Sequence, residues 1–406
     1  MRGTPRLDRL RRPIDPARHV AEIDGLRMLA IGVVVVGHIL AFAAPMTARV
    51  AGLAPDRDPL RWIRGEGPSG VMLFFAISGF VLMLPFARAA QAGDAPPSVR
   101  DYYRRRLTRL EPPYLLTLVA LFGLLILLDG WAAGDLGGHL LAGLPYTHVM
   151  IFGIRNPINP VTWSLEVEVQ FYLLMPLLAW GLLRMRPTTR RVALLAVVVA
   201  MPIAQQLTDV FATPRLGMSL IGSLQFFAIG IWAADLFVTA PPAEGSSRWD
   251  LAFVVGLVPF LVIREAVPGG LPVALTPACA VLLLGALRGR RVRAALRTPW
   301  IVVVGGMCYS IYLLHYQLVR GLWRWTRPFV VPALGVVPNL LVQVAIHVTL
   351  VLVVSGLFFA LIERPCMRRD WPQRAIARWR GAGSRTTIPQ TDDLLIDRRS
   401  PATLDR

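Results

Sequence analysis

EIDGLRMLAIGVVVVGHILAF, Glu22–Phe42, is a charged head followed by an apolar run that a single histidine, His38, interrupts. Glu22, Asp24 and Arg27 make the head. Asp24 is suited to cap a helix, because its carboxylate accepts from the unpaired N–H groups of a first turn. From Met28 to Ala44 the run is long enough to cross most of a bilayer. Arg27 and His38 are eleven residues apart. At ~100° per residue this puts both side chains on one face, roughly 16 Å apart along the axis. A lone histidine in such a helix is ordinarily a hydrogen-bonded bundle residue. Ionisable groups are costly in lipid, so the arginine sharing its face points to a site.

The rest of the chain repeats the apolar pattern. With 406 residues, 55% of them hydrophobic, and mean hydropathy +0.54, this is a membrane protein by composition. The expectation is an all-α, polytopic fold of about ten transmembrane helices. They fall near 28–44, 71–87, 112–128, 162–183, 192–209, 216–237, 250–267, 271–287, 300–319 and 336–362. The net charge of +18 comes from a chain without lysine, whose 43 basic residues are all arginine. With the N-terminus inside, 33 arginines fall on the inner side and 10 on the outer. That asymmetry predicts that both termini are cytoplasmic. It accounts for the charge without a nucleic-acid partner. Cys279, Cys308 and Cys366 are too few and too scattered for a disulfide framework or a zinc site, and no other metal-ligand cluster is present. The long basic arm, Asp24 and His38 argue against a cleaved signal peptide.

The expected organisation is a cytoplasmic basic arm (1–21), a membrane domain (22–369) and a partly disordered cytoplasmic tail (370–406). The second span holds FFAISGFV with Ser78 and Gly79, a pair that suits close helix packing. Before the third span, VRDYYRRRLTRLEPPY places Arg104, Arg105, Arg106 and Arg109 together. Such a cluster anchors an inner surface, and arginine also grips phosphate through its forked donors. Residues 129–161 read as the largest outer segment, with a weakly apolar middle lying on the membrane. The fourth span begins TWSLEVEVQFYLL, where Glu166 and Glu168 point about 200° apart on a helix, so only one can serve a given site. The ninth contains Tyr312 and His315, and the tenth ends in IERP, with Glu363 and Arg364 at the inner surface. Helix rise puts His38, Ser78, Glu168 and His315 in the middle and outer half of the bilayer, and Arg27 with the Arg104–Arg109 cluster at the inner face. The expected layout is therefore a basic mouth below a polar cavity.

These motifs, from about Glu22 to Arg369, resemble the integral-membrane acyltransferase family 3. That group O-acetylates O-antigen, peptidoglycan and other glycans and acylates some macrolides. Arg27 and His38 match its Arg-ten-His pair, and Arg106 and Arg109 its Arg-x-x-Arg pair. Trp163, Ser164, Glu168, Phe171 and Tyr172 match WSL-x-x-E-x-x-FY. Val169 stands where the family commonly has a polar residue. The resemblance implies acyl transfer from a cytoplasmic acyl-CoA, acetyl-CoA being the commonest, to a hydroxyl of a glycan, glycoside or macrolide, with no metal. His38 and Glu168 are the catalytic candidates, and Arg27, Arg106 and Arg109 the donor-binding ones. Ser78, Trp163, Ser164, Tyr312 and His315 are candidates for an acceptor cavity. The sequence ends soon after the tenth span, so transfer is expected within the membrane domain. A glycan or lipid transporter is the competing class, against which stands the lack of an inverted repeat of broken helices.

Overall fold

The computed structural model describes residues 12, 19–50, 68–240, 245–262, 271–368, 371 and 373. The rest of the basic arm, residues 51–67, Arg264, Glu265 and nearly all of the tail lie outside the described residues. Within them the fold is all-α, without a β-strand. In chain order the longer helices are α1 (Ala21–Val50), α2 (Pro68–Ala92), α3 (Val99–Asp129), α4 (Ala133–Gly143), α5 (His148–Phe152), α6 (Trp163–Arg184) and α7 (Pro187–Leu207). Then come α8 (Leu224–Thr239), α9 (Ser247–Val262), α10 (Leu271–Arg288), α11 (Arg290–Leu296), α12 (Pro299–Gly306), α13 (Cys308–Thr326) and α14 (Val336–Phe358).

Among the described residues six stretches are long and apolar enough to cross a membrane: Ala21–Pro45, Ser69–Ala92, Val99–Asp129, Pro160–Arg184, Pro187–Leu207 and Val336–Cys366. α12 and α13 add a seventh if their pair, bent by 67°, counts as one span. The expected ten are not reached by length and composition. α8 and Val273–Arg288 of α10 are apolar but short, and α9 stops at Val262, where the described stretch ends. The chain is a polytopic membrane protein.

α1 starts four residues earlier than an Asp24 cap would place it. Asp24 therefore lies in the first turn rather than at the cap. Its carboxylate accepts instead from Arg27 Nη1 at 2.5 Å and contacts His19 Nε2 at 2.7 Å. α2 runs through the core, packed most closely on α8. The packing reading of Ser78-Gly79 holds for the glycine: a Cβ on Gly79 would run into the Phe227 backbone, and one on Gly230 into that of Ala76. The close approach stacks Phe227 between Phe75, at 4.8 Å, and Phe171 of α6, at 4.0 Å. These rings tie α2, α6 and α8 into one core.

α3 is capped at its start by Ser98, whose hydroxyl accepts from the Asp101 N–H at 3.4 Å. It continues through Pro112 and Pro113. Pro112 has no N–H, so the carbonyl four residues earlier, on Thr108, loses its helical partner. Trp371 Nε1 donates to that carbonyl at 3.0 Å.

Residues 129–161 are partly helical and fold back on α3. Gly130, at φ +73°, ends α3, and α4 turns back along it until Tyr114 Oη donates to the Gly143 carbonyl at 2.7 Å. Tyr114 and Tyr146 stack at 4.3 Å, with Tyr146 held at φ +59°. His148, Asn156 and Ile158 are fully buried. The segment has two faces: Trp131, Leu141, Met150, Ile151 and Ile154 are exposed beside this buried core.

Candidate active site

α1, α2, α3, α6 and α13 enclose an open cleft with about 740 Å³ of empty space. Its lining includes Arg27, Arg106, Arg109, Ser78, Glu168, Ser164 and Tyr312. The basic mouth and polar cavity expected at separate depths are one cleft. The reason lies in α3, whose helix begins at Val99, so Arg106 and Arg109 ride on its side instead of preceding it in a loop. Arg104 and Arg105 fall on the exposed face.

Each polar group is held in a definite way. Glu168 accepts from Ser78 Oγ at 2.7 Å and from Tyr172 Oη at 2.5 Å, which fixes both carboxylate oxygens. Glu166, on the other face of α6, accepts from the Val149 N–H at 2.9 Å and serves the α4–α5 segment. The expected division between the two carboxylates is therefore seen. Arg106 lies over the rings of Tyr102 and Tyr172, at 5.6 and 5.3 Å, and makes no ion pair among the described residues. Arg109 reaches Glu363 at 4.0 Å, and its Nε–H is buried without a hydrogen-bond partner among the described residues.

Tyr312 Oη donates to the Val161 carbonyl at 2.5 Å. A phenol has one proton, so the 2.6 Å contact with Ser164 must be donated by the serine. Ser164 is thereby oriented by a residue of the bent pair.

His38 and His315 do not line the cleft, nor does Trp163. Trp163 stands edge-on to Phe75, which does. The histidines are buried beside Tyr312, with 3.3 Å between His38 Nδ1 and His315 Nε2. Their contacts assign the tautomers. His315 Nδ1 lies 2.8 Å from the Tyr312 carbonyl and 3.1 Å from that of Ile311, so it carries the proton. Its Nε2 is then an acceptor. His38 Nδ1 faces this acceptor and the Val34 carbonyl, at 2.9 Å, so it too is protonated. The lone pair of His38 is left on Nε2. Tyr316 stands edge-on to the ring at 5.2 Å.

Other residues escaped the motif reading. Glu363 is wholly buried, not at a surface. A π-helical turn at Phe359–Glu363 inserts it against α13, where it accepts from Ser310 N–H at 3.1 Å and Ser310 Oγ at 2.6 Å. Its signal was an acid beside Arg364 at the end of an apolar run. Cys308 lines the cleft, and Cys366 is buried; all three cysteines are free. Among the described residues no group of three or more acids, histidines or cysteines is placed to hold a metal.

Residues 20–364 match the acyltransferase 3 family profile, described as an acyltransferase domain. The chain belongs to the acyltransferase 3 family. This acyltransferase is 28% identical over 351 residues to acyltransferase MdmB of Streptomyces mycarofaciens, covering 77% of this chain and 84% of the relative. It is 25% identical over 339 residues to nodulation protein 10 of Rhizobium leguminosarum bv. viciae, covering 74% and 82%. It is 21% identical over 394 residues to peptidoglycan O-acetyltransferase OatA of Listeria monocytogenes, covering 87% of this acyltransferase but 57% of the relative. No solved structure matches it.

Proposed function

We propose that this acyltransferase moves an acyl group from a cytoplasmic acyl-CoA, acetyl-CoA being the first to try, to a hydroxyl of a glycan, glycoside or macrolide. The observation that carries the reading is the single cleft in which Arg27, Arg106 and Arg109 meet Ser164 and Tyr312, with the His315–His38 pair directly behind Tyr312. Three guanidiniums suit the phosphates of CoA. The oriented serine and phenol suit a hydroxylated acceptor. In this reading both termini are cytoplasmic, as the arginine distribution favours, and the protein sits in a bacterial inner membrane, as the family resemblance implies.

His38 is the general base. Its Nδ1–H is engaged by Val34 and His315, which leaves Nε2 as the proton acceptor. The acceptor O–H gives its proton to Nε2 as its oxygen bonds to the thioester carbonyl carbon. The C–S bond then breaks, and the CoA sulfur takes the proton back from His38. Glu168, held by Ser78 and Tyr172, is a positioning group near the reacting atoms. His38 lies outside the cleft lining, so the reading requires Tyr312 or its neighbours to shift when substrates bind.

The test is acyl-CoA turnover by the purified, detergent-solubilised chain beside His38→Ala. The expected result is CoA binding within about twofold of wild type and turnover lowered by at least ~100-fold. Unchanged turnover in a folded His38→Ala protein overturns the role of His38. Movement of an unmodified substrate across vesicles, without acyl transfer, overturns the reading itself.

A further inference from the structure

One residue of the cleft precedes the family match and every motif read from the sequence. Arg12 stands outside the helices, yet its side chain is only 5% exposed and lines the cleft with Arg27, Arg106 and Arg109. Its Nε donates to the Gly306 carbonyl at 2.6 Å. Nη1 lies 3.4 Å from Asp24 Oδ1, and Nη2 lies 3.8 Å from Cys308 Sγ. Gly306 and Cys308 flank the break between α12 and α13. A helix end leaves carbonyls without partners inside the helix, and Arg12 satisfies one of them. Guanidinium has five N–H donors, and these contacts engage three at most.

Among the described residues the charges around Arg12 do not balance. Asp24 is shared between Arg12 and Arg27, and also contacts His19. Arg106 is unpaired among the described residues, and Arg109 reaches its carboxylate only at 4.0 Å. Among the described residues four arginines line the cleft against one carboxylate, Glu168, which two hydroxyls already occupy. Largely buried cations in excess are unfavourable for folding alone. They suit a ligand with several negative charges.

We propose that Arg12 is a fourth donor-binding residue: the segment ahead of α1 brings its guanidinium to the cleft, where the fork grips a phosphate of the acyl donor while Nε–H holds the break of the bent pair. This rests on the acyl-CoA reading above. CoA affinity is measured by titration calorimetry on the full chain in detergent, for wild type, Arg12→Gln, Arg12→Lys and Arg106→Gln, each with its thermal unfolding curve. The expected result is about tenfold weaker binding in Arg12→Gln and about threefold in Arg12→Lys, which keeps the charge but loses the fork. If Arg12→Gln does not fold, Arg12→Lys decides: an affinity equal to wild type overturns the proposal, because the fork is what it requires. Wild-type affinity in folded Arg12→Gln, with weakened binding in Arg106→Gln, overturns the role of Arg12 and leaves the donor reading standing. A stable wild-type chain that binds no CoA overturns both.

Discussion

Two arginine clusters in this protein look alike in sequence and differ in partnering. Where α7 meets α8, Arg190 and Arg191 converge on the buried Asp235. Arg190 grips Oδ1 through Nε, at 2.8 Å, and its terminal nitrogen. Arg191 donates to Oδ2 at 2.7 Å and to Thr239 Oγ1 at 2.6 Å. Both carboxylate oxygens are bound and a hydroxyl takes a further donor. In the cleft, Arg106 has rings for partners and Arg109 a buried Nε–H without one among the described residues. The number of arginines does not separate structure from site. The number of acceptors facing them does.

The sharpest way to break this contrast is Asp235→Ala. Removing the shared carboxylate leaves two guanidiniums facing each other in the bundle, and should cost about 3–5 kcal/mol. The expected outcome is a large drop in thermal unfolding temperature in detergent, with CoA affinity unchanged in whatever protein folds. A destabilisation under about 1 kcal/mol would show that the closed cluster is as dispensable as an exposed pair.

Arg106→Gln should do the reverse. No ion pair among the described residues is lost, so unfolding should stay within a degree or two of wild type. CoA affinity should fall about tenfold, equivalent to ~1.4 kcal/mol. A large stability loss with intact affinity would move Arg106 to the structural class.

The smallest effect concerns pH and sits away from both clusters. Burial, and then the neighbouring His139, lower the pKa of His148 to about 4. Between its ordinary value of 6.5 and that lowered value the unfolded chain takes up a proton that the folded chain refuses. Stability should therefore fall on acidification from pH 7 to pH 5, and His148→Gln should flatten the loss. Equal acid sensitivity in the variant would place its origin elsewhere.

How much of this was legible depends on the reach of each interaction. Apolar runs and the positions of Arg27, Arg106 and Arg109 are local patterns, and they marked the helices and the cationic wall. Helical angles alone separated Glu166 from Glu168. The return of α4 along α3 was not legible, because it rests on Tyr114 meeting Gly143 across 29 positions. Nor was Arg12, whose decisive partner is 294 positions away. The motifs paired Arg27 with His38 through one helix. The histidine's proton is set by the Val34 carbonyl on its own helix and by His315 on another.

The hydrogen bond from Trp371 to Thr108 bears on how the protein is made. The helix that carries Arg106 and Arg109 leaves the ribosome early, with one carbonyl uncovered by Pro112. Its partner is translated more than two hundred residues later. The basic wall of the cleft, held earlier to α6 through Tyr102 and Tyr103, therefore gains this tie only after the intervening helices have been synthesised. A chain stalled before residue 371 would carry every cleft-lining arginine and still leave that wall without its final tie.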